Sequence, residues 1–127
     1  MKENNMSALG KKTWVIPDGY LPQKSSGGMT SHESVCVLNL GNDTAQISIE
    51  IYFEDKPPMT GLVAECEGKR TNHIRMEQIK DASGKLIPHG VPYAIKVTSS
   101  RPVVVQHTRL DTTQAELSLM TTMGYGL

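Results

Sequence analysis

Between Pro102 and Asp111 an extended chain sets Val103, Val105, His107, Arg109 and Asp111 on one face and Val104, Gln106, Thr108 and Leu110 on the other. The first face turns from apolar to polar halfway along, which is the pattern of a strand that leaves a packed core and enters a cleft or a subunit contact. An imidazole, a guanidinium and a carboxylate displayed together suit a ligand that carries hydroxyls or a carboxylate, because the guanidinium is a planar fork of donors and the carboxylate accepts. The same side chains could also satisfy one another in a polar ladder at a strand end or an oligomer interface.

Ser31-His32-Glu33 lies between a Gly- and Ser-rich tract and an apolar run, so it is anchored on one side and reachable on the other. Its plain alternative is a turn closed by side-chain to backbone hydrogen bonds. Trp14, the single tryptophan, alternates with Ile16 and leads into Pro17-Asp18-Gly19-Tyr20. It reads either as an aromatic wall for a flat ligand such as a sugar ring or as an ordinary buried indole. His73 and Arg75 alternate with Thr71 and add a second patch of hydrogen-bonding groups.

The histidines, at 32, 73, 89 and 107, stand at neither HxH nor HExxH spacing, so no metal is expected. No GxSxG elbow is present, and Cys36 and Cys66 lack CxxC pairing and read as buried small hydrophobes. Cys36 also sits in an apolar run that disfavours its thiolate. Gly27-Gly28 precedes neither a helix nor a Lys-Ser/Thr pair, so a phosphate loop is unsupported. The expectation is a chain with no catalytic activity and no cofactor. A metal-dependent isomerase or a glycoside hydrolase, whose paired acids can be distant in sequence, is the enzymatic alternative.

Strands must position these groups. In Gln46 to Phe53, Ile47, Ile49, Ile51 and Phe53 alternate with Gln46, Ser48, Glu50 and Tyr52, the period of a half-buried strand. Ser34 to Leu40 is apolar and β-branched, and with Gly41-Asn42-Asp43 behind it the two runs read as a hairpin. Lys12 to Ile16, Gly61 to Cys66, Arg70 to Met76, Tyr93 to Ser99 and Pro102 to Leu110 are further strands, spaced as in a sandwich or closed barrel. Thr113 to Met123 fits a helical stripe or a strand, and strand is preferred. Glu77 to Asp81 is long enough for one helical turn. Pro57-Pro58 and Ile87 to Pro92 belong in loops or at strand starts, since proline lacks the ladder donor. Residues 1–11 and Gln23 to Thr30 read as mobile.

Composition bounds the function. A chain of 127 residues is one domain, and 13 Lys plus Arg against 13 Asp plus Glu, with no basic run, leave no electrostatic footprint for nucleic acid. The polar first ten residues lack a signal-peptide core and no apolar run reaches membrane-spanning length, so the cytoplasm is the expected location.

Several segments together resemble the sensory rhodopsin transducer family of small prokaryotic proteins. They are Trp14-Val15-Ile16 with Gly19-Tyr20-Leu21-Pro22, Ser31 to Asn39, Ile51-Tyr52-Phe53 with Asp55, Arg70 to Arg75, Ile87-Pro88-His89, and Pro102 to Asp111 with Gln114-Ala115-Glu116. Gln23 to Thr30 and Lys56 to Lys69 match only loosely, and Met123 to Leu127 carries no charged side chain. The resemblance implies an antiparallel all-β sandwich of jelly-roll character, similar to carbohydrate-binding modules, assembled as a homotetramer. It implies a non-enzymatic domain that binds and senses a small polar molecule such as a sugar. The alternative it offers is a soluble signal transducer that contacts a membrane photoreceptor and DNA. Carried onto this chain, the ligand-binding residues it implies are Trp14, His32, Glu33, His73, Gln106, His107, Arg109 and Asp111.

Overall fold

The structure, a computed structural model, describes residues 9–23, 31–111 and 118–127. Among the described residues eight strands form: β1 (Lys11–Tyr20), β2 (His32–Asn39), β3 (Ala45–Phe53), β4 (Met59–Cys66), β5 (Arg70–Arg75), β6 (Pro92–Asp111), β7 (Ser118–Met123) and β8 (Tyr125–Gly126). Every strand pairing is antiparallel, and no helix occurs among the described residues. The all-β expectation therefore holds.

The 20-residue β6 organises the molecule. Its first half lies between β1 and β3 in a sheet ordered β4-β3-β6-β1-β8, and its second half lies between β2 and β7, with β5 beyond β2. Ser99 is the last β6 residue paired with β3, and Val104 is the first paired with β2. Pro102, which has no N–H to contribute, falls between them, where β6 pairs with neither β3 nor β2. A strand that leaves one sheet for another folds the two over a shared core. Ile47, Ile49, Ile51, Ile95 and Val97 of the first sheet and Val35, Val37 and Val105 of the second are all buried in one cluster. Each such side chain contributes about 1.5–3 kcal/mol on leaving water.

The expected hairpin between Ser34 to Leu40 and Gln46 to Phe53 does not form. β2 pairs with β5 and β6, and β3 with β4 and β6, so the Gly41-Asn42-Asp43 connection crosses from one sheet to the other. Alternation reveals which face of a strand is buried, but not which neighbour it takes. The buried Asn39 fixes the crossing: its amide donates to the Asp43 and Cys66 carbonyls at 2.9 Å each, and its Oδ1 accepts the Gly41 N–H at 3.0 Å.

A single turn closes from Arg75 to Ile79, with Gln78 and Ile79 both donating to the Arg75 carbonyl, two residues ahead of the expected span Glu77 to Asp81, and no helix continues from it. The strand preferred for Thr113 to Met123 is present as Ser118–Met123, and residues 113–117 lie outside the described residues. So do 1–8 and 24–30 of the segments expected to be mobile, whereas Lys11 already belongs to β1, opposite Val103.

Candidate functional site

The second sheet separates the polar residues by face. On the inner face Glu33 alternates with Val35 and Val37 and has no exposed surface. Antiparallel register sets Arg109 opposite Glu33 and His107 opposite Val35. Tyr93 arrives from the other sheet, at the start of β6 and opposite Gly19. A Cβ on Gly19 would run into the Tyr93 ring, so glycine there leaves room for the phenol. The register of β1 slips between Ile16 and Gly19, and past this irregularity the Tyr20 amide meets the Glu33 carboxylate.

The Tyr93 hydroxyl donates to Glu33 Oε1 at 2.5 Å, while Arg109 Nε and the Tyr20 N–H donate to Oε2 at 2.9 and 2.7 Å. His107 Nε2 lies 3.4 Å from Oε1, an ion-pair separation, and this buried nitrogen makes no hydrogen bond among the described residues. The Arg109 Nη2 is 3.8 Å from the exposed Asp18 carboxylate. Burial pushes the Glu33 carboxyl up, but the neighbouring His107, the Tyr93 hydroxyl and the Tyr20 amide outweigh it and hold the group below the usual glutamate range. Burial, with the Glu33 charge beside it, pushes the Tyr93 phenol well above its ordinary value and keeps it a donor. A buried carboxylate costs several kcal/mol unless its lone pairs are met. Here Tyr93, Arg109 and Tyr20 donate to it from within the protein, and the cluster fastens the two sheets together with the carboxylate out of a ligand's reach.

The outer face of the same sheet is open. Arg75, Ser34 and Thr108 form one cross-strand row and His73, Cys36 and Gln106 the next, with His32 at the start of β2. Together they line a shallow groove of about 460 Å³, within the range of about 300–1,000 Å³ common to small-molecule sites. Arg75 Nη2 is 2.6 Å from Glu77 Oε2, and Glu77 Oε1 accepts the Glu33 backbone N–H at 3.4 Å. The Arg75 Nε is buried and makes no hydrogen bond among the described residues. Cys36 is half-buried on this outer face rather than in the core, 3.9 Å from the Thr108 hydroxyl, whereas Cys66 is buried as expected.

The eight sequence candidates thus fall into separate places. Glu33, His107 and Arg109 converge on the inner face, and half-buried Asp111 follows on the same side of β6, opposite Ser118. His32, His73 and Gln106 converge on the outer groove. Trp14 is with neither group. Its indole is 7% exposed, packs against Gly124 and Gly126, and donates to the Lys11 and Val103 carbonyls at 3.0 Å each, the arrangement of a core tryptophan.

Tyr93 and Asp18 join the inner network, and Glu77 pairs with Arg75 beside the outer groove, without having been singled out in the sequence. A lone tyrosine at the head of the alternating run Tyr93-Ile95-Val97 is the one signal available, since a buried phenol needs a partner. A separate hollow of about 510 Å³ between Phe53, Pro58, Met59, Leu86 and Pro88 also had no sequence signal. No set of three His, Cys, Asp or Glu side chains among the described residues is grouped to hold a metal ion, and no helix among them is long and apolar enough to cross a membrane.

Comparison with known proteins places this architecture. The family model described as Anabaena sensory rhodopsin transducer (ASRT) matches residues 9–126. The crystal structure of Thermotoga maritima 1070 is 38% identical with a TM-score of 0.83, covering 93% of this chain and 96% of that one. The Anabaena sensory rhodopsin transducer structure is also 38% identical, with a TM-score of 0.73 over 85% of this chain and 95% of that one. No curated protein sequence matches the chain. With the family match spanning nearly the whole described sequence and both folds superposing on this one, the chain belongs to the Anabaena sensory rhodopsin transducer family.

Proposed function

We propose that this transducer-family domain is a non-enzymatic sensor that binds a hydroxyl-rich small molecule, such as a sugar or a sugar derivative, on the outer face of β5, β2 and β6. The observation that carries the reading is the groove itself. It gathers His32, His73 and Gln106 with the Ser34 and Thr108 hydroxyls and Arg75 on one accessible surface, and adjacent donors and acceptors of this kind replace the hydration of a polyol. The inner Glu33 cluster is the weaker candidate: its carboxylate has no exposed surface and already accepts from Tyr93, Arg109 and Tyr20, although His107 and Arg109 also border a hollow of about 370 Å³ with Met120, Thr121 and Thr122. A thermal-shift screen of monosaccharides and sugar acids tests the proposal. Stabilisation that disappears in His73→Ala and Gln106→Ala supports it. No stabilisation at concentrations of tens of millimolar refutes it.

The second reading, a transducer that works through protein contacts with a membrane photoreceptor, draws support from β7. Leu119, Met120 and Met123 are 70, 58 and 55% exposed on a strand that among the described residues pairs only with β6, and exposed apolar side chains on such a strand favour a covering partner. The homotetramer implied by the family resemblance would use the same surface, with the assembly residing in the cytoplasm. Light scattering of Leu119→Ser with Met120→Ser tests this arrangement: a smaller oligomer that retains ligand stabilisation supports separate assembly and binding surfaces.

A further inference from the structure

Resting on the groove reading above, we infer that the ligand is an anion, a hydroxylated molecule carrying a carboxylate or phosphate held by Arg75, rather than a neutral sugar. The described residues lining the groove include two histidines and an arginine but no aspartate or glutamate. Sites that discriminate neutral polyols need acceptors as well as donors. Here the strong acceptors of the neighbourhood lie outside the groove: Glu33 faces the other way and accepts from Tyr93, Arg109 and Tyr20, and Glu77 is ion-paired with Arg75 through a buried Oε2 and accepts the Glu33 amide through Oε1.

Arg75, by contrast, has donors in excess. A guanidinium carries five N–H groups, and the described contacts of Arg75 engage it with a single carboxylate oxygen through Nη2; its Nε is buried, so the donors a ligand can reach are the remaining Nη N–H groups. Its side chain is 39% exposed beside the groove, so a planar oxyanion has access to it. His73, exposed two residues earlier on the same strand face, and Gln106, beyond Cys36 in the adjoining row, are placed to meet hydroxyls on the body of such a molecule. The Arg75 to Glu77 ion pair fixes the guanidinium beforehand and lowers the ordering cost of capturing the anion.

The test compares matched ligands by calorimetric titration of the full chain: galactose and glucose against galacturonate, glucuronate and glucose 6-phosphate. Arg75→Gln removes the anchor, and Gln106→Glu introduces a carboxylate into the groove as a second variant. The expected result is binding by the acids or the phosphate at least tenfold tighter than by the hexoses, weakening as salt is raised and lost in both variants. Preference for uronates over the phosphate, or the reverse, identifies the anionic group. Hexoses binding as well as their acids, or acids binding undiminished to Gln106→Glu, overturns the anion inference while leaving the groove reading intact. Absence of binding by every member of both series overturns both.

Discussion

The two faces of the β5-β2-β6-β7 sheet carry similar residue types and do opposite things. Inside, Glu33, His107 and Arg109 join Tyr93 in a buried network with the carboxylate fully out of solvent. Outside, His32, His73, Gln106 and Arg75 border an open groove. Burial accounts for the difference. A charge facing the core must find its partners within the protein or cost the fold several kcal/mol, whereas a polar group facing water can wait for a ligand. A single residue step along β2, from His32 to Glu33, moves from one regime to the other.

The sharpest way to break this contrast is Glu33→Gln. It turns one carboxylate oxygen into an amide donor and removes the buried negative charge beside Arg109 and His107, and chemical denaturation should show a loss of about 3 kcal/mol. A loss of less than 1 kcal/mol would mean that the network is incidental to the fold. Tyr93→Phe takes away one donor and keeps the ring against Gly19. Its expected cost is about 2 kcal/mol, the value of a hydrogen bond to a charged acceptor.

Acid should dissect the same network. Because the folded Glu33 carboxyl is held below its unfolded value, its contribution is fully present above the ordinary glutamate value of about 4.3 and disappears as pH falls through the lower folded value. Unfolding curves between pH 6 and pH 3 should therefore be steeper for the parent than for Glu33→Gln. Parallel curves would show that this carboxylate does not titrate with folding. On the outer face, His73→Ala should change stability by no more than about 0.5 kcal/mol and affect only ligand binding. A larger effect would make His73 part of the fold.

Much of this was legible in the sequence, and the failures share a cause. Period-two alternation located the strands, and face analysis along Val103 to Asp111 set His107 and Arg109 on the face of Val105, where they meet the buried Glu33 as in the polar-ladder alternative rather than entering an open cleft. Alternation could not say that β6 would change sheets, that β2 and β3 would lie in different sheets, or that Tyr93, 60 residues from Glu33 in the chain, would meet it. Those facts depend on long-range pairing. Trp14 shows a related ambiguity, since an indole beside a turn signal looks the same in sequence whether it lines a cleft or, as here, packs on Gly126 and donates to backbone carbonyls. The outer groove was half legible. His73 and Arg75 were visible as a patch, but only the register of β5 on β2 and of β2 on β6 sets them beside Gln106.

The division of labour between the two faces is tested most directly by mapping backbone amide chemical shifts during titration with galacturonate. The account predicts that the largest changes fall at Ser34, His73, Arg75 and Gln106, with Tyr20 and Tyr93 nearly unmoved. Changes centred on Tyr93 and Arg109, or on the hollow beside Phe53 and Leu86, would contradict it.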